Sequence, residues 1–174
     1  LVSSSAASDV YKRQIKSWSS MTTTVPWVYS TSRISLSSTS DTLLIRKDIP
    51  ESVLEKAARV RVLVLDVDGV LTDGRIIYGE HSGEIKNFHV FDGFAIRILQ
   101  KFDITPAIVS GRNSNVVAAR CRELGVEHVH LGSLNKIPAL EQVVEACGVT
   151  FDQLAAFGDD LPDLPMLGRA TLAI

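Results

Sequence analysis

The 174-residue chain has only two cysteines, Cys121 and Cys147, with no Cys-x-x-Cys pair and no histidine spaced to join them as zinc ligands. Neither a disulfide framework nor a structural zinc site is indicated, and a reducing compartment, the cytoplasm, fits best. Positive charge is not in excess either: 18 Lys and Arg against 20 Asp and Glu leave −2 with the four His neutral. No basic field is present to hold nucleic-acid phosphates or an anionic membrane, so neither is expected as a partner. Long apolar runs are missing too. The clean stretches are short ones such as Val62–Leu65, far below the roughly 20 residues that a membrane helix needs. Aromatic residues make up only 6%, while 45% of the chain is hydrophobic and 22% charged. That balance suits one α/β-type domain with a sizeable core.

What is present begins with a polar head. Nineteen of the first 44 residues are Ser or Thr, with no apolar period, a composition that cannot repay the entropy of ordering. Residues 1–44 are therefore expected to be a disordered or artefactual extension, with Leu1–Gln14 reading as translated adaptor or upstream frame and Met21 as a start. Met21–Ser40 has no acid, as in a transit peptide, but its single Arg33 and lack of amphipathic period favour the first reading. The patterned body is expected over 45–174.

There, short β-rich runs alternate with amphipathic segments of helical length, the α/β pattern. Strands are expected at Arg61–Leu65, Ile104–Val109, Glu127–Leu131 and Leu154–Phe157. Helices are expected at Ile49–Ala58, Gly93–Phe102, Asn113–Leu124 and Ile137–Cys147, with Gly125 and Gly148 as stop signals after the last two. Arg75–Gly79 and Glu84–Val90 flank Glu80-His81-Ser82-Gly83 and read as a β-hairpin after the first strand. Thr171–Ile174 enters another strand.

In an open parallel sheet ligands sit beyond the carboxyl ends of the strands. Val62–Leu65 is followed by Asp66-Val67-Asp68-Gly69-Val70, and Ala107–Val109 by Ser110-Gly111-Arg112. Leu154–Phe157 is followed by Gly158-Asp159-Asp160-Leu161-Pro162-Asp163. Each piece alone is ordinary loop chemistry, since Asp and Gly are common turn residues. Together they gather five carboxylates, a hydroxyl and an arginine at one sheet edge. Such a cluster repels itself unless a cation neutralises it, and an all-oxygen donor set points to Mg²⁺ rather than zinc. Lys136, opening a helix after the remaining strand, supplies a fixed positive charge for a phosphate.

These residues resemble the four ordered motifs of the haloacid dehalogenase superfamily of phosphohydrolases: Asp66-x-Asp68-x-Val70, Ser110, Lys136 and Gly158-Asp159-Asp160-x-x-Asp163. Leu65–Gly74, Phe88–Gly93, Ser110–Arg112, Arg120-Cys121 and Asn135-Lys136 are more narrowly similar to the 3-deoxy-D-manno-octulosonate 8-phosphate (Kdo 8-phosphate) phosphatase family. The likeness covers about residues 60–174. It implies a Rossmann-like parallel sheet with flanking helices, no separate cap domain and a hairpin flap after the first strand. It also implies Mg²⁺-dependent hydrolysis of a sugar-acid phosphate in lipopolysaccharide biosynthesis.

The implied roles follow. Asp66 attacks phosphorus to give an aspartyl-phosphate, and Asp68 protonates the leaving oxygen, then deprotonates water. Ser110 and Lys136 bind the phosphoryl oxygens, while Asp66, the Asp68 carbonyl and Asp159 hold Mg²⁺. Asp160 and Asp163 orient metal-bound water and Lys136 from a second layer. His89, Val90, Phe91, Asp92 and Gly93, with Arg97, Arg112 and Arg120, line the sugar pocket; for Arg97 and Arg120 a solvated helix face is the bland reading. His89 stands where the family pattern has Asn. Family members continue beyond the position of Ile174, so the resemblance implies a chain truncated at its C-terminus. A homotetramer is expected, because apolar residues on the hairpin would otherwise coat a protruding ribbon. Competing readings are a phosphatase for another sugar acid such as N-acylneuraminate 9-phosphate, and a non-catalytic oligomerisation module of a nucleotidyl-sugar synthetase. A phospho-receiver domain fits the paired Asp66 and Asp68 poorly.

Overall fold

Apolar runs with no polar interruption belong in strands covered on both faces, and that is how the chain uses them. The computed structural model describes residues 49–81 and 83–174; the extension expected over 1–44 lies outside the described residues. In chain order the elements are α1 (Glu51–Arg59), β1 (Val62–Leu65), β2 (Ile77–Gly79), β3 (Gly83–Ile85), α2 (Val90–Lys101), β4 (Thr105–Val109) and α3 (Asn115–Leu124). β5 (His128–His130), α4 (Lys136–Cys147), β6 (Leu154–Phe157), α5 (Leu164–Leu167) and β7 (Leu172–Ala173) follow. Five strands form a parallel sheet in the order β5-β4-β1-β6-β7, and β2 and β3 pair antiparallel as a separate hairpin.

Alternate side chains of the central strands point to opposite faces. Val62, Val64, Ala107, Val109, Leu154 and Ala156 pack against Ala139, Leu140 and Val143 of α4 and Met166 of α5. Leu65 and Ile108 pack on the other face with Ile96 of α2 and with Val117, Cys121 and Leu124 of α3. The result is the expected α/β sandwich of helices around a parallel sheet. Register then sets the site. Leu65 aligns with both Ile108 and Phe157, so Ser110 and Asp159 lie one step beyond Asp66 at the same sheet edge.

Caps account for most differences from the expected boundaries. The Nδ1 atom of His89 accepts the N–H of Phe91 at 3.2 Å, which starts α2 at Val90 rather than Gly93 and shortens the hairpin's second arm to Gly83–Ile85. Ser114 caps α3 by accepting the N–H of Val117 at 3.4 Å. Gly125 and Gly148 end α3 and α4 in the left-handed region, with φ 70° and 64°. A 3₁₀ turn at Leu161–Asp163 and the short α5, each with a proline near its start, were not expected. Between β1 and β4 the described chain carries only the hairpin and α2, so no separate cap domain stands over the sheet edge. No described helix is long and apolar enough to cross a membrane.

The fully buried Leu140 projects from α4 onto the sheet. Leu140→Ala should lower unfolding stability by about 2–5 kcal/mol, read from urea denaturation, without moving any group at the sheet edge.

Candidate active site

Asp66 is the first residue past β1, and its N–H donates to Phe157 O at 3.0 Å, extending the β1–β6 ladder by one bond. That bond fixes the backbone from which the carboxylate projects. Only 6% of Asp66 and 3% of Lys136 are exposed. The Lys136 ammonium donates to Asp66 Oδ1 at 2.5 Å and also to Asp163 Oδ1. Lys136 is the first residue of α4, where the helix dipole disfavours a cation. Its position is explained by the two carboxylates it faces. Asp163 is buried, and its Oδ2 accepts the N–H groups of Asp159 and Asp160 at 3.1 Å each. Both of its oxygens are therefore engaged in orienting Lys136 and the loop after β6. Burial pushes the Asp66 carboxyl above its ordinary value, against the opposing hydrogen bond and charge of Lys136.

One carboxylate oxygen each from Asp66, Asp159 and Asp163 falls in a group spanning no more than 4.8 Å. A Cβ on Gly69 would lie 1.9 Å from Asp159 Oδ2, and Gly69 has φ +107°. Glycine at position 69 therefore opens the space that the Asp159 carboxylate fills. Asp66 and Asp163 share the buried ammonium of Lys136 and Asp159 stands beside them, which leaves excess negative charge on an all-oxygen donor set. That set fits Mg²⁺, with Asp66 and Asp159 placed to hold it.

Asp68 belongs to a second cluster, assembled by the hairpin. Its Oδ1 accepts from the ammonium of Lys86, just past β3, and its Oδ2 lies 3.7 Å from Arg112 Nε. Glu84 on β3 accepts from Arg112 Nη2 at 2.6 Å and from Ser114 Oγ, and lies 3.4 Å from Lys86 Nζ. Sequence reasoning missed Lys86, Glu84 and Ser114. The available signal was the pair of charges two residues apart around Ile85, which places Glu84 and Lys86 on one face of the ribbon.

The buried Ser110 follows β4, and its Oγ accepts the N–H of Arg112 at 3.4 Å. Asp160 Oδ1 caps the 3₁₀ turn by accepting the N–H of Leu161 at 2.7 Å. His89, Val90, Phe91, Asp92 and Gly93 form the cap and first turn of α2. Arg120 lies over the Phe88 ring at 5.8 Å, pairs with Glu123 at 2.9 Å, and passes so close to Gly93 that a Cβ there would meet its Nη2 at 2.3 Å. Arg97 donates to the carbonyl of Glu123 in the last turn of α3 at 3.4 Å. The chain thus brings together Asp66, Lys136, Asp159 and Asp163, and separately Asp68 with Arg112. It places Arg97 against the end of α3 and Arg120 on α3 itself, facing Phe88 and Gly93, instead of among those carboxylates.

Glu84 is held below the usual carboxylate range, first by Ser114, then by Arg112 and Lys86, against some desolvation. A depressed folded value means that its contribution to stability is complete above the ordinary glutamate value of about 4.3 and is lost as pH falls through the lower folded value. Acid titration of stability should therefore be less steep in that window for Glu84→Gln than for the parent, with the larger difference between the two at neutral pH.

Comparison with known proteins agrees with this geometry. Residues 128–174 match the family model described as haloacid dehalogenase-like hydrolase. The 3-deoxy-D-manno-octulosonate 8-phosphate phosphatase KdsC of Escherichia coli K12 is 39% identical over 126 residues, which cover 72% of this chain and 67% of the relative. The crystal structure of the Yersinia pestis phosphatase of the same name superimposes with a TM-score of 0.70 at 36% identity, covering 72% of this chain and 68% of that one. That of the Moraxella catarrhalis phosphatase, in complex with magnesium, phosphate and KDO, gives 0.68 at 36% identity and covers 71% of each chain. Shared sequence over most of the described residues, a shared parallel sheet and an acidic cluster suited to magnesium lead to one conclusion: the chain belongs to the 3-deoxy-D-manno-octulosonate 8-phosphate phosphatase family of haloacid dehalogenase-like hydrolases.

Proposed function

We propose that the chain is a Mg²⁺-dependent phosphoric monoester hydrolase that converts Kdo 8-phosphate to Kdo and inorganic phosphate through an aspartyl-phosphate at Asp66. The observation that carries this reading is the buried Asp66 carboxylate, held by Lys136, which Asp163 holds in turn, beside Asp159 and with Asp68 two residues along the same strand end. Residues 45–174 are the proposed catalytic unit.

An Asp66 oxygen attacks phosphorus while the bond to the sugar oxygen breaks. Asp68, as the carboxylic acid, gives its proton to that oxygen, and the sugar leaves as a neutral alcohol. In the second half, the Asp68 carboxylate takes a proton from water as the water oxygen bonds to phosphorus and Asp66 departs. Ser110 donates a hydrogen bond to the phosphoryl group, and Lys136 offsets the charge that develops on it. Asp66, the Asp68 carbonyl and Asp159 would hold Mg²⁺, which would supply the positive charge needed to offset repulsion between an anionic nucleophile and an anionic ester. Asp163 keeps Lys136 aimed, and Asp160 orders the loop after β6. Arg112, at the edge of the Asp68 cluster, is the proposed partner for the sugar carboxylate, with His89 to Gly93, Arg97 and Arg120 forming the outer wall of the sugar pocket.

The working form is proposed to be a cytoplasmic homotetramer. Ile76 is 57% exposed, Tyr78 70% and Ile85 40%, and these residues lie on or beside a two-stranded ribbon that is marginal by itself in water. Light scattering should give a mass of four chains at micromolar concentration. A monomer throughout the micromolar range would contradict that assembly.

Activity on a panel of sugar phosphates tests the reading itself. Kdo 8-phosphate should be preferred over N-acylneuraminate 9-phosphate. Chelation should stop turnover, with Mg²⁺ restoring it and Ca²⁺ a poor substitute because of its larger, looser shell. Asp66→Asn should lower kcat by roughly three orders of magnitude or more. Undiminished turnover in excess chelator, or by Asp66→Asn, would overturn the mechanism.

A further inference from the structure

Lys86 has no part in the chemistry described above, yet it is among the most enclosed charges of the described chain. Its side chain is 1% exposed, and an ammonium is buried stably only when carboxylates surround it. Its partners are Asp68 Oδ1 and, at 3.4 Å, Glu84 Oε1. Glu84 is anchored in turn by Arg112 Nη2 at 2.6 Å and by Ser114 Oγ at the start of α3. Two acids and two bases thus form a quartet joining β3, the end of β1 and the β4–α3 connection.

We propose that Lys86 is a positioning residue for Asp68: tethered by Glu84, it fixes the carboxyl group that delivers the proton to the departing sugar oxygen. This role rests on the functional reading above. Lys86 pins Oδ1, while Oδ2 faces Arg112 Nε at 3.7 Å, beyond hydrogen-bond reach, and so is the oxygen left to serve the departing sugar oxygen. As the Asp66–phosphorus bond forms, the electron pair of the breaking phosphorus–oxygen bond stays on the sugar oxygen. The Oδ2 proton joins it, and Asp68 remains as a carboxylate against the ammonium. Enclosure of Lys86 keeps it from touching the sugar, so its action passes through Asp68 alone. A purely structural ion pair would fasten the hairpin without any preference among leaving groups.

Leaving-group dependence separates the two. An alkoxide needs a proton to depart, whereas p-nitrophenolate does not, and kcat/KM reports only the steps up to departure. The experiment measures the ratio of kcat/KM for Kdo 8-phosphate to that for p-nitrophenyl phosphate in the full chain with Mg²⁺. In Lys86→Met that ratio should fall at least about tenfold, toward the 10²–10⁴ that a placed general acid contributes. In Glu84→Gln it should fall in the same direction by less, and this variant decides the matter if Lys86→Met does not fold. A ratio equal to the parent's, whether both rates drop together or neither does, overturns the positioning role and leaves the phosphatase reading standing. A parent chain inactive on Kdo 8-phosphate overturns that reading and this role with it.

Discussion

One buried ammonium governs the sheet edge. Lys136 stands between the carboxylates of Asp66 and Asp163, both of them enclosed, and without it two negative charges would face each other in a poorly solvated site. Removing one member of such a group typically destabilises by about 3–5 kcal/mol, because the remaining charge is left uncompensated. The rest of the architecture supplies this arrangement. β1 lies between β4 and β6, so the strand ends bearing Asp66, Ser110 and Asp159 are neighbours, and α4 begins where its first side chain can reach them. The burial that pushes the Asp66 carboxyl up also removes the water that would screen a nucleophile from its phosphoryl target.

A second ionic group is laid over the first by the hairpin. Asp66 and Asp68 are two residues apart, but one is bound by the helix on the far side of the sheet edge and the other by the ribbon above it. Two chemically identical carboxylates thus meet different environments, as the proposed division into an attacking group and a proton carrier requires. Gly69 completes the separation, since only a residue without Cβ lets Asp159 approach from β6.

How much of this could be read from sequence follows from what each residue does. Asp66, Asp68, Asp159 and Asp163 were legible because carboxylates directly after apolar strands have no packing reason to be there. Lys136 was legible because it is a cation at a helix start. The arms of the hairpin were overextended, because Phe88, His89 and Val90 have the composition of a strand while the His89 cap turns the chain into α2. Glu84 and Lys86 were passed over because alternating charges on a short ribbon ordinarily face water, and only the tertiary approach of Asp68, Arg112 and Ser114 gives them other partners. Arg97 and Arg120 were less legible. A helix-borne arginine has the same spacing whether it faces a sugar pocket, faces solvent or, as Arg97 does, reaches a carbonyl at the end of a neighbouring helix.

Chemical trapping of the covalent intermediate tests the central claim most directly. Chain mixed with excess Kdo 8-phosphate and Mg²⁺, quenched during steady turnover and reduced with borohydride, should yield homoserine at position 66, identified by peptide mass mapping. Homoserine at another aspartate, or an unmodified Asp66 in a sample that releases phosphate at full rate, would contradict nucleophilic attack by Asp66.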